Sequence, residues 1–517
     1  MFDLLIKNGA IIDGTGKDAF CADIAIKDGK IVRIETDIEE SAEKIIDAKN
    51  LTVTPGFIDS HSHSDNAILD YPDMVEKLEQ GITTAVAGQC GDSIVPGRYS
   101  GENDKYIEGL GRLSEITKNF KNFCKATEKI PLGANTLTFV GHSDVRISVI
   151  GYKNRKATPD EISKMKEIVR EAMENGAIGL SFGLIYTPSC YADTEELLEL
   201  AKVVKEYDGL LAAHIRSESD NLIEAVEEFL CVVKETGLRA VFSHHKSAWK
   251  KNWGKVKKSL SILQQAIDEG YDIYCDVYPY TASNTSLKTV IIPREMRDKD
   301  SSGLLEVIDI PENRKKIRES VIKSYGENLD MLYISFAKEK PEYAGKFINE
   351  IAKEKGMDDI ETALKILKDT NCGASVCCFS MCEEDVETVL KFNRAMICTD
   401  SSVAKGKTVY HPRLRATFPR VLGRYVREKK LVPLPEMIRR MTSLPAYVYK
   451  LNTKGLIREG YDADICIFDA EKIIDNATFT NCTKGADGLN YVIVGGKIAA
   501  KDAVYNKTKN AKFIKMR

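Results

Sequence analysis

Short apolar runs recur through the middle of the chain, and most of them close on polar or charged residues. They are Phe57–His63, Thr83–Gly88, Ala134–His142, Ile178–Leu184, Leu210–Arg216, Ala240–Lys246, Tyr271–Tyr280 and Ala395–Asp400. Runs of this length and apolarity read as strands buried on both faces. Stretches with helical periodicity fall between several of them. In the clearest, Thr158 stands at the N-cap and Pro159 at the first helical position, and Ile162, Met165, Ile168, Val169 and Ala172 share one face. Strands alternating with helices in this way predict an α/β protein built on a parallel, TIM-like (β/α)8 barrel.

The two ends follow a different pattern. Leu4–Lys7, Asp23–Lys27 and Ile31–Glu35 near the start, and Ala463–Asp469 and Leu489–Val494 near the end, alternate with the period of a strand. Asn8-Gly9 and Gly495-Gly496 read as hairpin turns. The pattern predicts one small β-sandwich-like domain from residues 1–55 and 455–517, set around a barrel spanning 56–454. The gap from Thr281 to Arg394 is too long for one helical crossover. It predicts an inserted subdomain at about 286–390, between barrel strands 7 and 8, with helices near Glu312–Tyr325 and Ile360–Lys368.

With 517 residues and 43% hydrophobic content, the chain can fill a large core. Its net charge of −3 and the absence of a dense basic patch argue against a nucleic-acid partner. Lys250–Lys258 reads as a solvated entry to a helix. No apolar run reaches membrane-spanning length, and the alternating start carries no basic leader, so no membrane association is expected. Thirteen cysteines in such a chain point to reduced thiols and a cytoplasmic location. Cys372, Cys377, Cys378 and Cys382 match no metal template and read as structural thiols.

Chemistry enters at the strand ends. Only seven histidines are present, and His61-Ser62-His63 closes the first barrel run. Alternation along a strand puts both imidazoles on one face, where they can share a cation. His214 closes run five, His244 run six and Asp400 run eight, and Cys90 follows run two between Gln89 and Gly91. Imidazole and sulfur ligands with one carboxylate suit zinc better than magnesium or calcium. His244 and His245 face opposite ways, and spacing alone does not decide which points inward. Cys90, taken alone, fits a buried thiol as well as it fits a ligand.

The chain closely resembles the N-acyl-D-amino-acid deacylase (D-aminoacylase) family of the metal-dependent amidohydrolase superfamily. Several segments carry the resemblance: Pro-Gly-Phe-Ile-Asp-Ser-His-Ser-His (55–63), Gly-Gln-Cys-Gly (88–91), Gly-Leu-Ser-Phe-Gly-Leu-Ile-Tyr (179–186), His-Ile-Arg-Ser-Glu (214–218), Ser-His-His-Lys (243–246), Asp-Val-Tyr-Pro-Tyr (276–280), and the long match beginning His-Pro-Arg-Leu-Arg (411–415). The resemblance implies a zinc held mainly by Cys90, His214 and His244. It implies a second, weaker site at His61 and His63, bridged by Cys90. It selects His244 over His245 and makes Asp400 the general acid/base. It gives Tyr186, Lys246, Tyr278 and Arg413 the substrate's α-carboxylate. The implied reaction is hydrolysis of N-acyl-D-amino acids.

Two departures stand out. Thr399-Asp400-Ser401 replaces the family's usual Ser-Asp-Gly. The stretch Thr281–Lys288 offers Ser283, Thr285 and Leu287 rather than an arginine, which points to uncharged D side chains. The rival reading is a cyclic-amide hydrolase of the dihydropyrimidinase, hydantoinase or dihydroorotase type. That group uses a strand-4 lysine, and Gly179–Leu184 contains none.

Overall fold

The computed structural model describes residues 1–97, 99, 103–406 and 408–516, so Arg517 of the predicted terminal region lies outside the described residues. Eight parallel strands form a ring. We number them β1 (Phe57–Asp59), β2 (Ile82–Ala87), β3 (Asn135–Thr138, continued by Val140–Gly141), β4 (Gly179–Gly183), β5 (Leu210–His214), β6 (Arg239–Phe242), β7 (Ile273–Val277) and β8 (Ala395–Ile397). Neighbours pair in sequence order from β1 to β8. The ring closes beyond the regular strand ends, where Ser62 bridges Ser401 and Asp400 N–H donates to His61 O at 2.9 Å. The regular part of β1 ends at Asp59, short of His61 and His63.

Helices between the strands cover the outside. The helix Pro159–Glu174 starts with a capping box between Thr158 and Glu161, and it buries Met165, Val169 and Ala172. Ile162 and Ile168 pack half-buried against the same core. Among the described residues, no helix is long and apolar enough to cross a membrane.

Both ends of the chain enter one nine-stranded sheet, in which Thr52–Pro55 pairs with Ile465–Phe468. Period-two patterning explains how this sheet serves two cores. Ile465 and Ile467 join Leu4, Ile6, Ile24 and Ile26 in a core of their own, whereas Cys466 and Phe468 face the barrel core. Gly495-Gly496 turns a two-residue hairpin, as expected, between Leu489–Val494 and Lys497–Lys501. Asn8-Gly9 does not. It is a bulge inside the long strand Phe2–Ile11, with Asn8 at φ 62°. A Cβ on Gly9 would stand 2.6 Å from Val53 Cγ2, so packing against the neighbouring strand, rather than a turn, requires glycine there.

Between β7 and β8, Ser283–Ser286, Leu332–Ala337 and Ala374–Cys378 form an antiparallel sheet. The helices Pro311–Tyr325 and Asp359–Asp369 pack with it around a separate core that includes Ile317, Ile334, Leu364 and Val376. Cys372, Cys377 and Cys378 are buried here as separate thiols, and Cys382 is partly exposed.

Candidate metal centre and active site

The polar residues that close the strands meet over the C-terminal end of the ring. Cys90 lies at the centre. Its Sγ is 3.3 Å from His61 Nε2, 3.3 Å from His244 Nε2 and 3.6 Å from His214 Nδ1. Asp400 Oδ1 is 3.6 Å from His61 Nε2 and 3.2 Å from His63 Nε2. Ligand atoms of His61, Cys90, His244 and Asp400 lie within 4.8 Å of one another, as do those of His214, Glu218 and His244. His61, Cys90, His214, His244 and Asp400 are buried, and the side chain of His63 is 29% exposed toward the entrance.

The backbone is bent to achieve this. Cys90, His244 and Asp400 have φ of 55°, 35° and 46°, a region that costs a non-glycine residue about 1–3 kcal/mol. Three such residues at one cluster mark a site whose geometry is imposed by its surroundings. Gly183 at the end of β4 makes room for the Cys90 turn, since a Cβ there would stand 1.8 Å from Cys90 O. His245 points away. Its Nε2 bonds Ser259 Oγ at 2.7 Å and its ring packs on Phe242.

Supporting side chains surround the cluster. Glu218 lies 3.5 Å from His214 Nε2 and 3.0 Å from His244 Nδ1. Lys246 Nζ donates to Glu218 Oε1 at 2.5 Å and stands 2.6 Å from His244 Nδ1. Arg413 Nη1 donates to Asp400 Oδ2 at 2.7 Å. Sequence reasoning gave no role to Asp276, which is fully buried at the end of β7. Its Oδ1 accepts from His244 N–H at 2.6 Å and its Oδ2 stands 3.5 Å from His61 Nδ1. An acidic residue inside the apolar run Ile273–Val277 was the available signal.

Burial lowers the pKa of His61 and takes that of His214 well below the usual imidazole range, so both are neutral. Burial also pushes the Cys90 thiol well up, with Asp400 adding to it. For Asp400, burial favours the neutral form, but the charge of Arg413 prevails and holds its carboxyl well below the carboxylate range. Among the described residues, His61 Nδ1 and His214 Nε2 are buried without a hydrogen-bond partner. The neutral imidazoles of His61 and His214, converging with the His244 ring, a thiol and a carboxylate, make a donor set that fits a zinc ion, whose charge would reverse the upward shift of the thiol.

A cavity of about 610 Å³ opens over the cluster, lined by His63, Cys90, Tyr186, Asp400 and Arg413 among others. A smaller recess of about 110 Å³ shares Tyr186 and Asp400 with it and reaches His214, Lys246 and Tyr278. Of the four expected carboxylate-binding residues, Tyr186 lines both spaces, Arg413 the larger, and Lys246 and Tyr278 the smaller. Tyr186 OH meets Thr285 Oγ1 at 3.4 Å, and Lys246 and Arg413 stand over the Tyr278 ring at 5.4 and 5.2 Å. The Tyr278 hydroxyl is buried without a partner among the described residues.

The Amidohydrolase family model matches residues 44–313 and 399–500. The chain is 33% identical over 498 residues to the D-aminoacylase of Alcaligenes xylosoxydans xylosoxydans, covering 96% of this chain and 94% of that protein. A solved D-aminoacylase superposes with a TM-score of 0.84 at 31% identity, covering 100% of each chain. A solved N-acyl-D-glutamate deacylase from Bordetella bronchiseptica superposes with a TM-score of 0.83 at 31% identity, again covering 100% of each chain. That structure holds zinc and a phosphonate inhibitor that mimics the tetrahedral intermediate of its reaction.

Proposed function

The chain belongs to the Amidohydrolase family, and from that premise we propose that it is a zinc-dependent hydrolase that cleaves N-acyl-D-amino acids to a carboxylic acid and a free D-amino acid. The observation that carries this reading is the thiol of Cys90 amid three imidazoles, with the Asp400–Arg413 pair on the same cavity floor. Cys90, His214 and His244 would hold one zinc, and His61 and His63, sharing Cys90, would offer a second, weaker position. When bound, zinc supplies Lewis acidity and lowers the pKa of water toward neutrality.

Asp400 accepts the proton of the attacking water and returns it to the departing amine. Arg413 keeps this carboxylate charged. A substrate carboxylate that draws Arg413 toward itself removes part of that hold, so the proton affinity of Asp400 rises when a base is needed. Tyr186, Lys246, Tyr278 and Arg413 fix the α-carboxylate. With the carboxylate and the amide both pinned, the side chain at Cα can be placed only one way around.

The organisation we assign is a hydrolase barrel at 56–454, an inserted subdomain at about 286–390, and one small β-sandwich-like domain from 1–55 with 455–517, in a cytoplasmic protein acting on small molecules. Amine release from N-acetyl-D-methionine and N-acetyl-L-methionine tests the function. Losing one charged hydrogen bond costs about 1.5–3 kcal/mol, so the D substrate is expected to have a kcat/KM about 10- to 150-fold higher. Equal values, or activity confined to a cyclic amide such as dihydrouracil, would refute the reading.

A further inference from the structure

The connection between β1 and β2 contains three buried polar side chains where a short helix ordinarily buries apolar ones. Glu76, Lys77 and Gln80, in and just after the helix Val75–Leu78, are each 0% exposed. None of them belongs to the metal cluster. Together they grip the two segments that carry Asp400 and Arg413.

Lys77 reaches the residues on either side of Asp400. Its Nζ donates to Thr399 Oγ1 at 2.9 Å and to Ser401 O at 3.1 Å, and it is neutralised by Asp59 Oδ2 at 2.8 Å. Asp59 in turn accepts from Thr399 N–H at 2.8 Å and from Thr399 Oγ1 at 2.6 Å. Glu76 and Gln80 hold the chain on the C-terminal side of this turn. Glu76 Oε1 accepts from Ala404 N–H and Arg415 Nη2 at 3.2 Å each. Gln80 donates to Leu414 O at 2.8 Å and accepts from Thr417 N–H at 3.1 Å, both within the helix Arg413–Arg420 that begins with Arg413.

A fully buried ion pair is a poor source of net stability, because desolvation offsets its attraction. It does fix geometry, and here the geometry needs fixing. Asp400 sits at φ 46°, a conformation that relaxes unless its neighbours are held. We infer that Lys77, held by Asp59, is a positioning residue that locks the strained turn at the end of β8 and so aims the Asp400 carboxylate at the metal site. This inference rests on the reading of Asp400 as the general acid/base. Lys77 acts through Asp400 and has no role in holding zinc or the substrate carboxylate.

Two variants of the full-length, zinc-loaded protein test it. Asp59→Asn with Lys77→Met removes both charges together, so no unpaired charge remains in the core. Thr399→Val cuts the link to the turn and leaves the ion pair intact. Each is expected to lower kcat at least tenfold on N-acetyl-D-methionine, with KM within twofold and zinc content unchanged. A folded, zinc-loaded variant of either kind with kcat within twofold of the parent would overturn the inference. Joint loss of zinc and a rise in KM would do so as well, since that pattern means collapse of the whole site. Asp400→Asn measured alongside separates the two levels. If that variant keeps near-parent turnover, the reading of Asp400 has failed. If it is inactive while the other two are unimpaired, only the positioning role has failed.

Discussion

Replacing Asp276 with asparagine changes almost no volume, yet it is expected to weaken zinc binding. In the parent protein one carboxylate oxygen accepts a hydrogen bond and the other lies against an imidazole nitrogen. Oδ1 takes the His244 N–H at 2.6 Å, at a residue held at φ 35°, and Oδ2 faces His61 Nδ1 at 3.5 Å. An acceptor beside Nδ1 keeps the proton on that nitrogen and leaves the lone pair of Nε2 directed at the cluster. An amide has one acceptor and one donor group. If its oxygen stays with His244 N–H, its NH₂ faces His61 Nδ1 and draws the imidazole proton to Nε2, where a ligand lone pair is needed. If it flips, two donors meet at His244. Either way one buried interaction is lost, at about 1–3 kcal/mol. That corresponds to a zinc dissociation constant about 5- to 150-fold higher. Chelator competition at pH 7 measures it, with thermal unfolding of the zinc-loaded protein as a control for folding. A dissociation constant within about twofold of the parent would refute the argument that Asp276 sets the His61 tautomer and holds the His244 turn.

Asp400→Asn should keep fold and zinc while cutting turnover at least roughly 10²-fold, read from steady-state amine release. Arg413→Ala should lower kcat/KM for N-acetyl-D-amino acids about 10- to 150-fold without loss of zinc, checked by elemental analysis. Stability should fall in acid in a way traceable to Asp462. Burial favours its neutral form, but the Lys454 charge and hydrogen bonds from Lys30 and Thr453 outweigh that and hold its pKa down to about 2. A depressed folded pKa gives stability that is full above about pH 4 and lost as pH falls through about 2. Urea midpoints across that window should lose this component in Asp462→Asn, which starts out less stable at neutral pH.

The ring of strands was legible because strands buried on both faces read as continuous apolar runs, and the polar residues closing them include most of the cluster. That more than one helix lies between β7 and β8 was legible from the length of the gap before Arg394. Asn8-Gly9 misled, because a local turn signal says nothing about a neighbouring strand, and contact with Val53 decided the conformation. The choice of His244 over His245 needed the family resemblance, since alternation gives two faces without saying which is inward. The partners of Asp276 and Lys77 were beyond sequence reasoning for a common reason. Asp276 meets His244 only because β6 and β7 are neighbours, and Lys77 meets Thr399 only because the ring closes.

The sheet shared by the two ends of the chain has a consequence for biosynthesis. Thr52–Pro55 leaves the ribosome with one edge open, and the strand that covers it, Ile465–Phe468, emerges roughly 400 residues later. At about 5–20 residues per second, that wait is about 20–80 s. Throughout it, the nascent N-terminal strands present unpaired amides and a row of isoleucines destined for a core that cannot yet close. Completion of the enzyme is therefore a long-range closure event, and until Ile465–Phe468 emerges the waiting strands are open to pairing with other chains.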